Sequence, residues 1–209
     1  MNLIALILLS FVPYITTYFG LYVLSNAWIA LLSYHLVIVI VLIKRNKELK
    51  KIRYLITNKK IFLSSIILTL FTLPLLILLW DFIKLPNLDL SNMLKKFNLD
   101  GISFVLFIIY IATIHPVLEE LYWRLIITYE KSNKLDFLFD IIFAGYHILV
   151  LTLFVKIPFV IISVIVLAIS GMFWRYIIKR YQDYLSVFAM HSIADLLIMI
   201  AIFTLTNNS

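Results

Sequence analysis

The chain predicts an all-α, polytopic membrane helix bundle of about seven transmembrane helices, on three observations. Of its 209 residues, 64% are hydrophobic and only 14% are charged, where a soluble domain carries about a quarter charged. Mean hydropathy is +1.06, and the apolar residues fall in runs of about 20, the length that crosses a hydrocarbon core at 1.5 Å per residue. The runs hold 16 Phe and 12 Tyr but only 4 Gly and 5 Pro, without the period-two alternation that marks barrel strands.

Taken in order, the expected spans are 3–23, 27–43, 61–83, 102–128, 136–155, 157–178 and 184–205, forming one integral membrane domain over 1–209. Met1-Asn2-Leu3 opens straight onto an apolar run, with neither the basic stretch nor the small-residue cleavage site of a secretory signal, so the first span is expected to be retained. Pro13 is expected to kink it. Ser25-Asn26 separates it from a short second span. The loop 84–101 contains Leu90, Met93, Leu94 and Phe97 on one helical face, opposite Lys95 and Lys96, a pattern suited to the bilayer interface. Trp28, Trp80 and Trp174 fall near span ends, where an aromatic belt is expected.

The formal charge of +7 does not point to nucleic acid, because eight of the 18 Lys and Arg lie between Lys44 and Lys60, beside predicted spans. That loop is expected to sit on anionic lipid at the cytoplasmic face. With Arg124 set aside as intramembrane, only Lys84, Lys95, Lys96 and Lys156 fall on the opposite side of the crossings. The N-terminus is therefore expected in the cytoplasm. The chain has no cysteine, which excludes disulfides, thiolate metal sites and a cysteine nucleophile.

Function is expected where ionisable residues interrupt the apolar runs. A charge near the bilayer centre costs roughly 2.5 to 3.5 kcal/mol on insertion scales, so such groups normally face a protein interior and have a task. The three fragments are Glu119-Glu120-x-x-x-Arg124, Phe143-x-x-x-His147 and His191-x-x-x-Asp195. Counted inward from Glu130, Asp136 and Asp183, the residues Glu119, His147 and His191 lie roughly 12 to 17 Å deep at the helical rise. A common level permits one shared pocket, opening toward the cytoplasm.

Glu120 and Arg124, four apart, can pair along one face. Glu119 points about 100° away and is free to act as a base. Gly145, between Phe143 and His147, removes side-chain bulk where a neighbouring helix can pack. His191 and Asp195 share a face and are placed to polarise a carbonyl oxygen. His115 lies four residues before Glu119 and could touch it, but with Pro116 following it reads as a structural or helix-bending residue, and His35 as a core or interface residue without a matched partner. Asp140 faces the same way as His147 and has Arg175 or Lys179 as candidate partners.

These three motifs, in this order on successive membrane helices, resemble the CAAX protease and bacteriocin-processing (CPBP, or Abi) family of intramembrane glutamic endopeptidases, related to the Ras-converting CAAX prenyl protease. The resemblance covers about 102–205, and the first three spans carry no matching motif. It implies peptide hydrolysis by an activated water, with Glu119 as the base and His147 as its partner on the water. His191 and Asp195 match the oxyanion-stabilising pair, and Glu120 with Arg124 the structural salt bridge. Asp195 departs from the Asn of the prenyl-protein enzymes, so it either carries a proton or orients His191. The implied substrate is a membrane-associated or lipidated protein or peptide, prenylated or not. The glutamate mechanism calls for no cofactor, and if zinc is bound, Glu119, His147 and His191 are the expected ligands. The alternative is a catalytically silent relative acting in bacteriocin self-immunity or as a scaffold.

Overall fold

The computed structural model describes residues 2–50, 52, 59–128 and 133–207. Among them run eight principal helices: α1 (Leu3–Val23), α2 (Ala27–Lys44), α3 (Lys59–Ile83), α4 (Leu90–Lys96), α5 (Gly101–Ile126), α6 (Asn133–Leu151), α7 (Ile157–Tyr181) and α8 (Tyr184–Asn207). Glu130, used above to count depth, lies outside the described residues, as do Lys51 and 53–58 of the basic loop and Lys131. By length and composition α1, α2, α3, α5, α7 and α8 can each cross a membrane. The remaining expected span is α6, whose first two turns carry Lys134, Asp136 and Asp140.

The boundaries follow local chemistry. Ser25 takes a left-handed conformation (φ 50°), and the Asn26 side chain accepts a hydrogen bond from the Ile29 N–H at 3.0 Å, capping α2. The break near Pro13 falls at Phe11, between Leu3–Ser10 and Val12–Tyr18, and α1 closes in a π-helical turn, Phe19–Val23. Gln182 ends α7 in the left-handed conformation. Asp183 then caps α8 by accepting from Ser186 N–H (2.9 Å) and Ser186 Oγ (2.8 Å). A carboxylate there also faces the positive end of the helix dipole.

The helices pair α1 with α2, α5 with α8 and α6 with α7, while α3 lies along α8. Lys59–Leu70 buries none of its residues, leaving α3 at the margin of the bundle. Gly145 has the expected use: Tyr14 of α1 packs over it, donating from Oη to the Ile142 carbonyl at 2.8 Å, and a Cβ there would run into that hydroxyl.

Two apolar cores stack along the bundle. One gathers Leu6, Leu42, Trp123, Phe139, Ile177 and Tyr184 at the end bearing Lys44, Lys134 and Lys179. The other gathers Leu21, Ala27, Trp80, Leu94, Phe104 and Val160 at the opposite end. At that second end the loops are tied by backbone hydrogen bonds: Ala27 N–H to Phe97 O (3.1 Å), Leu85 N–H to Phe154 O and Lys156 N–H to Ile83 O (both 2.9 Å). The amphipathic helix of the loop forms as α4, capped by Asp89, but Leu90, Leu94 and the following Phe97 are buried in the second core. Its apolar face is thus covered by protein rather than by the bilayer interface.

Candidate active site

Glu119 and Glu120 lie at the end of the α-helical part of α5, where the helix widens into a π turn over Leu121–Ile126. Both are fully buried. Successive residues on a helix diverge by about 100°, so the two carboxylates meet different neighbours. Glu119 Oε1 accepts from two phenols, Tyr146 Oη at 2.6 Å and Tyr34 Oη at 3.1 Å. Tyr34 is itself held by the Trp123 indole N–H at 2.8 Å. Glu119 Oε2 accepts no hydrogen bond among the described residues, and lies 3.5 Å from His115 Nε2 and 3.9 Å from His191 Nε2.

Glu120 does more than pair with Arg124. Its Oε2 lies 3.4 Å from Arg124 Nε, the expected ion pair, while Oε1 meets His191 Nδ1 at 2.9 Å. A carboxylate only accepts, so the His191 hydrogen sits on Nδ1 and Nε2 is directed at Glu119 and at Asp195 Oδ2, 3.5 Å away. The ring also stacks on Trp174, at 4.6 Å between centroids. Trp174, expected in an interfacial belt, is instead a buried wall of the site. The Arg124 guanidinium lies over the Phe143 ring at 4.5 Å, and a Cβ on Gly171 of α7 would come within 2.9 Å of its Nη2, so a larger residue there would displace the guanidinium.

His147 donates from Nδ1 to the Phe143 carbonyl at 3.1 Å and packs against Tyr146 with ring centroids 4.0 Å apart. No direct Glu119–His147 hydrogen bond is formed among the described residues. Asp140 takes Arg175 as partner, with Nε at 2.8 Å and Nη2 at 2.9 Å, and Lys179 pairs with Asp136. Arg175 also donates to the carbonyls of Trp123 (2.9 Å) and Ile127 (3.4 Å). It thereby satisfies acceptors at the frayed end of α5.

His35 and His115, read from the sequence as unconnected, form a string. Tyr110 Oη and His35 Nδ1 are 2.8 Å apart, and His35 Nε2 and His115 Nδ1 are 3.0 Å apart. His115, Glu119 and His191 bring three ligand-capable atoms within 4.8 Å of one another. The metal-capable set is therefore completed by His115, where the sequence suggested His147. Tyr34 and Tyr146 were the residues sequence reasoning missed, while His35 and His115 were read as structural only. A signal existed, since Tyr precedes His twice inside membrane helices, at Tyr34-His35 and Tyr146-His147.

Residues 101–197, which hold all three motifs, match the family model of type II CAAX prenyl endopeptidase Rce1-like proteins. This segment is Rce1-like. With its crossing-length apolar helices, the chain as a whole is an integral membrane protein. No curated protein and no solved structure matches it. The Rce1-like segment takes in α5 to α7 and much of α8, while from α2, outside the matched residues, Tyr34 reaches Glu119 and His35 reaches His115.

Proposed function

We propose that the chain is an intramembrane endopeptidase that hydrolyses a peptide bond with a water activated by Glu119. The observation that carries the reading is the divided carboxylate: Oε1 is pinned by Tyr34 and Tyr146, and Oε2 is free to accept and faces His191 Nε2. Pinning one oxygen fixes where the other points, which is the positioning a general base needs. In this reading water gives its proton to Glu119 Oε2 as its oxygen attacks the scissile carbonyl, and the proton then passes to the leaving nitrogen. His147, with Nδ1 committed to Phe143, offers Nε2 as an acceptor to the same water.

The developing oxyanion needs a donor, and His191 supplies one when its ring carries both protons, with Glu120 as counter-ion on Nδ1. Asp195, beside Nε2, orients that hydrogen. The substrate is assigned as a membrane-associated or lipidated peptide segment, with or without a prenyl group, reaching the site from the Lys/Arg-rich end. That end is assigned to the cytoplasm, with the 44–60 loop against anionic lipid.

Comparative peptide profiling of membranes containing the native protein or its Glu119→Gln form tests the reading. Substrate is expected to accumulate uncleaved in the variant, with cleavage reduced at least ~100-fold, as for loss of a general base. His191→Ala is expected to act similarly. Undiminished cleavage by Glu119→Gln ends the assignment, and folded variants that lose only partner binding would mark a silent relative.

A further inference from the structure

We infer that the cavity between the last turns of α3 and α8 and the short helix α4 holds the head group of one zwitterionic phospholipid, bearing a phosphate and a primary ammonium as phosphatidylethanolamine does. This site lies at the second end of the bundle and goes beyond the hydrolytic reading, on which it does not depend. The cavity has a volume of about 620 Å³, within the range of small-molecule sites. Its frame is built in. Leu90 and Leu94 anchor α4 in the second core, and backbone hydrogen bonds from Leu85 to Phe154 and from Lys156 to Ile83 hold the loop that follows α3.

Trp80 forms part of the wall, one turn before α3 ends at Ile83. Tryptophan at the end of a membrane helix marks the head-group level, so phospholipid is the ligand most concentrated there. Leu78 lies one turn deeper than Asp81 on the same face of α3, and Phe203 one turn deeper than Thr206 on α8. Both are exposed. They give acyl chains an apolar track leading down from the cavity.

Charge selects the head group. Asp81, Lys84, Asp89 and Lys95 line the cavity, two of each sign. An anionic head group would meet two carboxylates with no cation of its own, whereas a zwitterion matches both signs. Lys84 Nζ already stands 2.6 Å from Asp81 Oδ1, and a phosphate beside the lysines with an ammonium beside the aspartates continues that alternation. Asp89 is held by Asn92, whose backbone N–H (2.9 Å) and side-chain amide (2.7 Å) donate to its two oxygens. Each oxygen retains a lone pair for an ammonium hydrogen. Lys95 and the Ser91 hydroxyl, both on α4, are donors for the phosphate. Choline fits poorly: it has no N–H to give, and its usual receptor is a cage of aromatic rings. Among the described lining residues Trp80 is the one aromatic ring.

The test uses the full-length protein in detergent micelles, with phosphatidylethanolamine, phosphatidylcholine and phosphatidylglycerol of identical acyl chains as probes. It reads no cleavage, so its failure and that of the hydrolytic reading are separate results. Native mass spectrometry is expected to show one phosphatidylethanolamine retained per chain, at least ~tenfold in preference to the other two, as for the gain of a charge-assisted hydrogen bond. Asp81→Asn combined with Asp89→Asn removes both carboxylates while asparagine still caps α4, and is expected to abolish the preference over phosphatidylcholine. Should that variant fail to fold, Asp81→Asn alone, at an exposed position, is expected to lower the preference about threefold or more. Lys84→Gln with Lys95→Gln is expected to lower retention of phosphatidylethanolamine about tenfold. Lys47→Gln, at the opposite end, is expected to leave it within about twofold. Equal retention of the three lipids, or a preference unchanged in the folded aspartate and lysine variants, overturns the site. So does displacement of the bound lipid by equimolar soluble glycerophosphoethanolamine, which would assign the cavity to a free phosphoamine.

Discussion

Tyr34 and Tyr146 each stand immediately before a histidine on a membrane helix, and both donate to the same oxygen of Glu119. A hydrogen bond to a charged acceptor is worth about 1.5 to 3 kcal/mol, so Tyr146→Phe is expected to slow cleavage of a membrane-embedded reporter peptide about tenfold or more through a misdirected Oε2. The double variant with Tyr34→Phe is expected to slow it further, less than additively because the two share one acceptor. Equal rates for native and doubly substituted protein under single turnover would show that neither phenol positions the carboxylate. Glu119, Glu120, Arg124 and His191 were legible in the sequence because ionisable groups in apolar runs stand out. The roles of the phenols and His35 were not, because hydroxyls and a lone imidazole are common in apolar helices and their partners lie 27 to 85 residues away along the chain.

Among elements, the end of α5 depends on α7. Arg175 donates to two carbonyls there and chelates Asp140 of α6, so one guanidinium ties three helices. Removing one partner of a buried ion pair typically costs about 3 to 5 kcal/mol. Arg175→Leu is therefore expected to lower the thermal unfolding temperature in detergent strongly, and pairing it with Asp140→Leu is expected to recover part of the loss. A melting temperature unchanged by Arg175→Leu would deny the tie its importance. The breaks at Ser25-Asn26 and around Pro13 could be read beforehand, since capping residues and proline act locally. The π turns at Phe19–Val23 and Leu121–Ile126 could not, because an apolar run has the same composition at four or five residues per hydrogen bond. The expected fifth span, 136–155, is displaced to Asn133–Leu151 because the chain turns at Thr152–Phe154.

For the whole molecule, the alternation of Lys- and Arg-rich ends predicts a cytoplasmic N-terminus. With no native cysteine, single substitutions at exposed positions report on each side cleanly. Lys47→Cys is expected to react with a membrane-impermeant maleimide only in inverted vesicles, and Lys96→Cys only in intact cells. The reverse pattern would turn the bundle over. The all-α bundle was visible in composition because lipid leaves few other ways to satisfy the backbone. What composition did not reveal is that α2, which carries no family motif, completes the site from outside residues 101–197. The laced loops at the second end have a mechanical consequence. A bundle knotted at one pole resists splaying there, so any parting of its helices is expected away from that knot, like fingers opening from a closed palm.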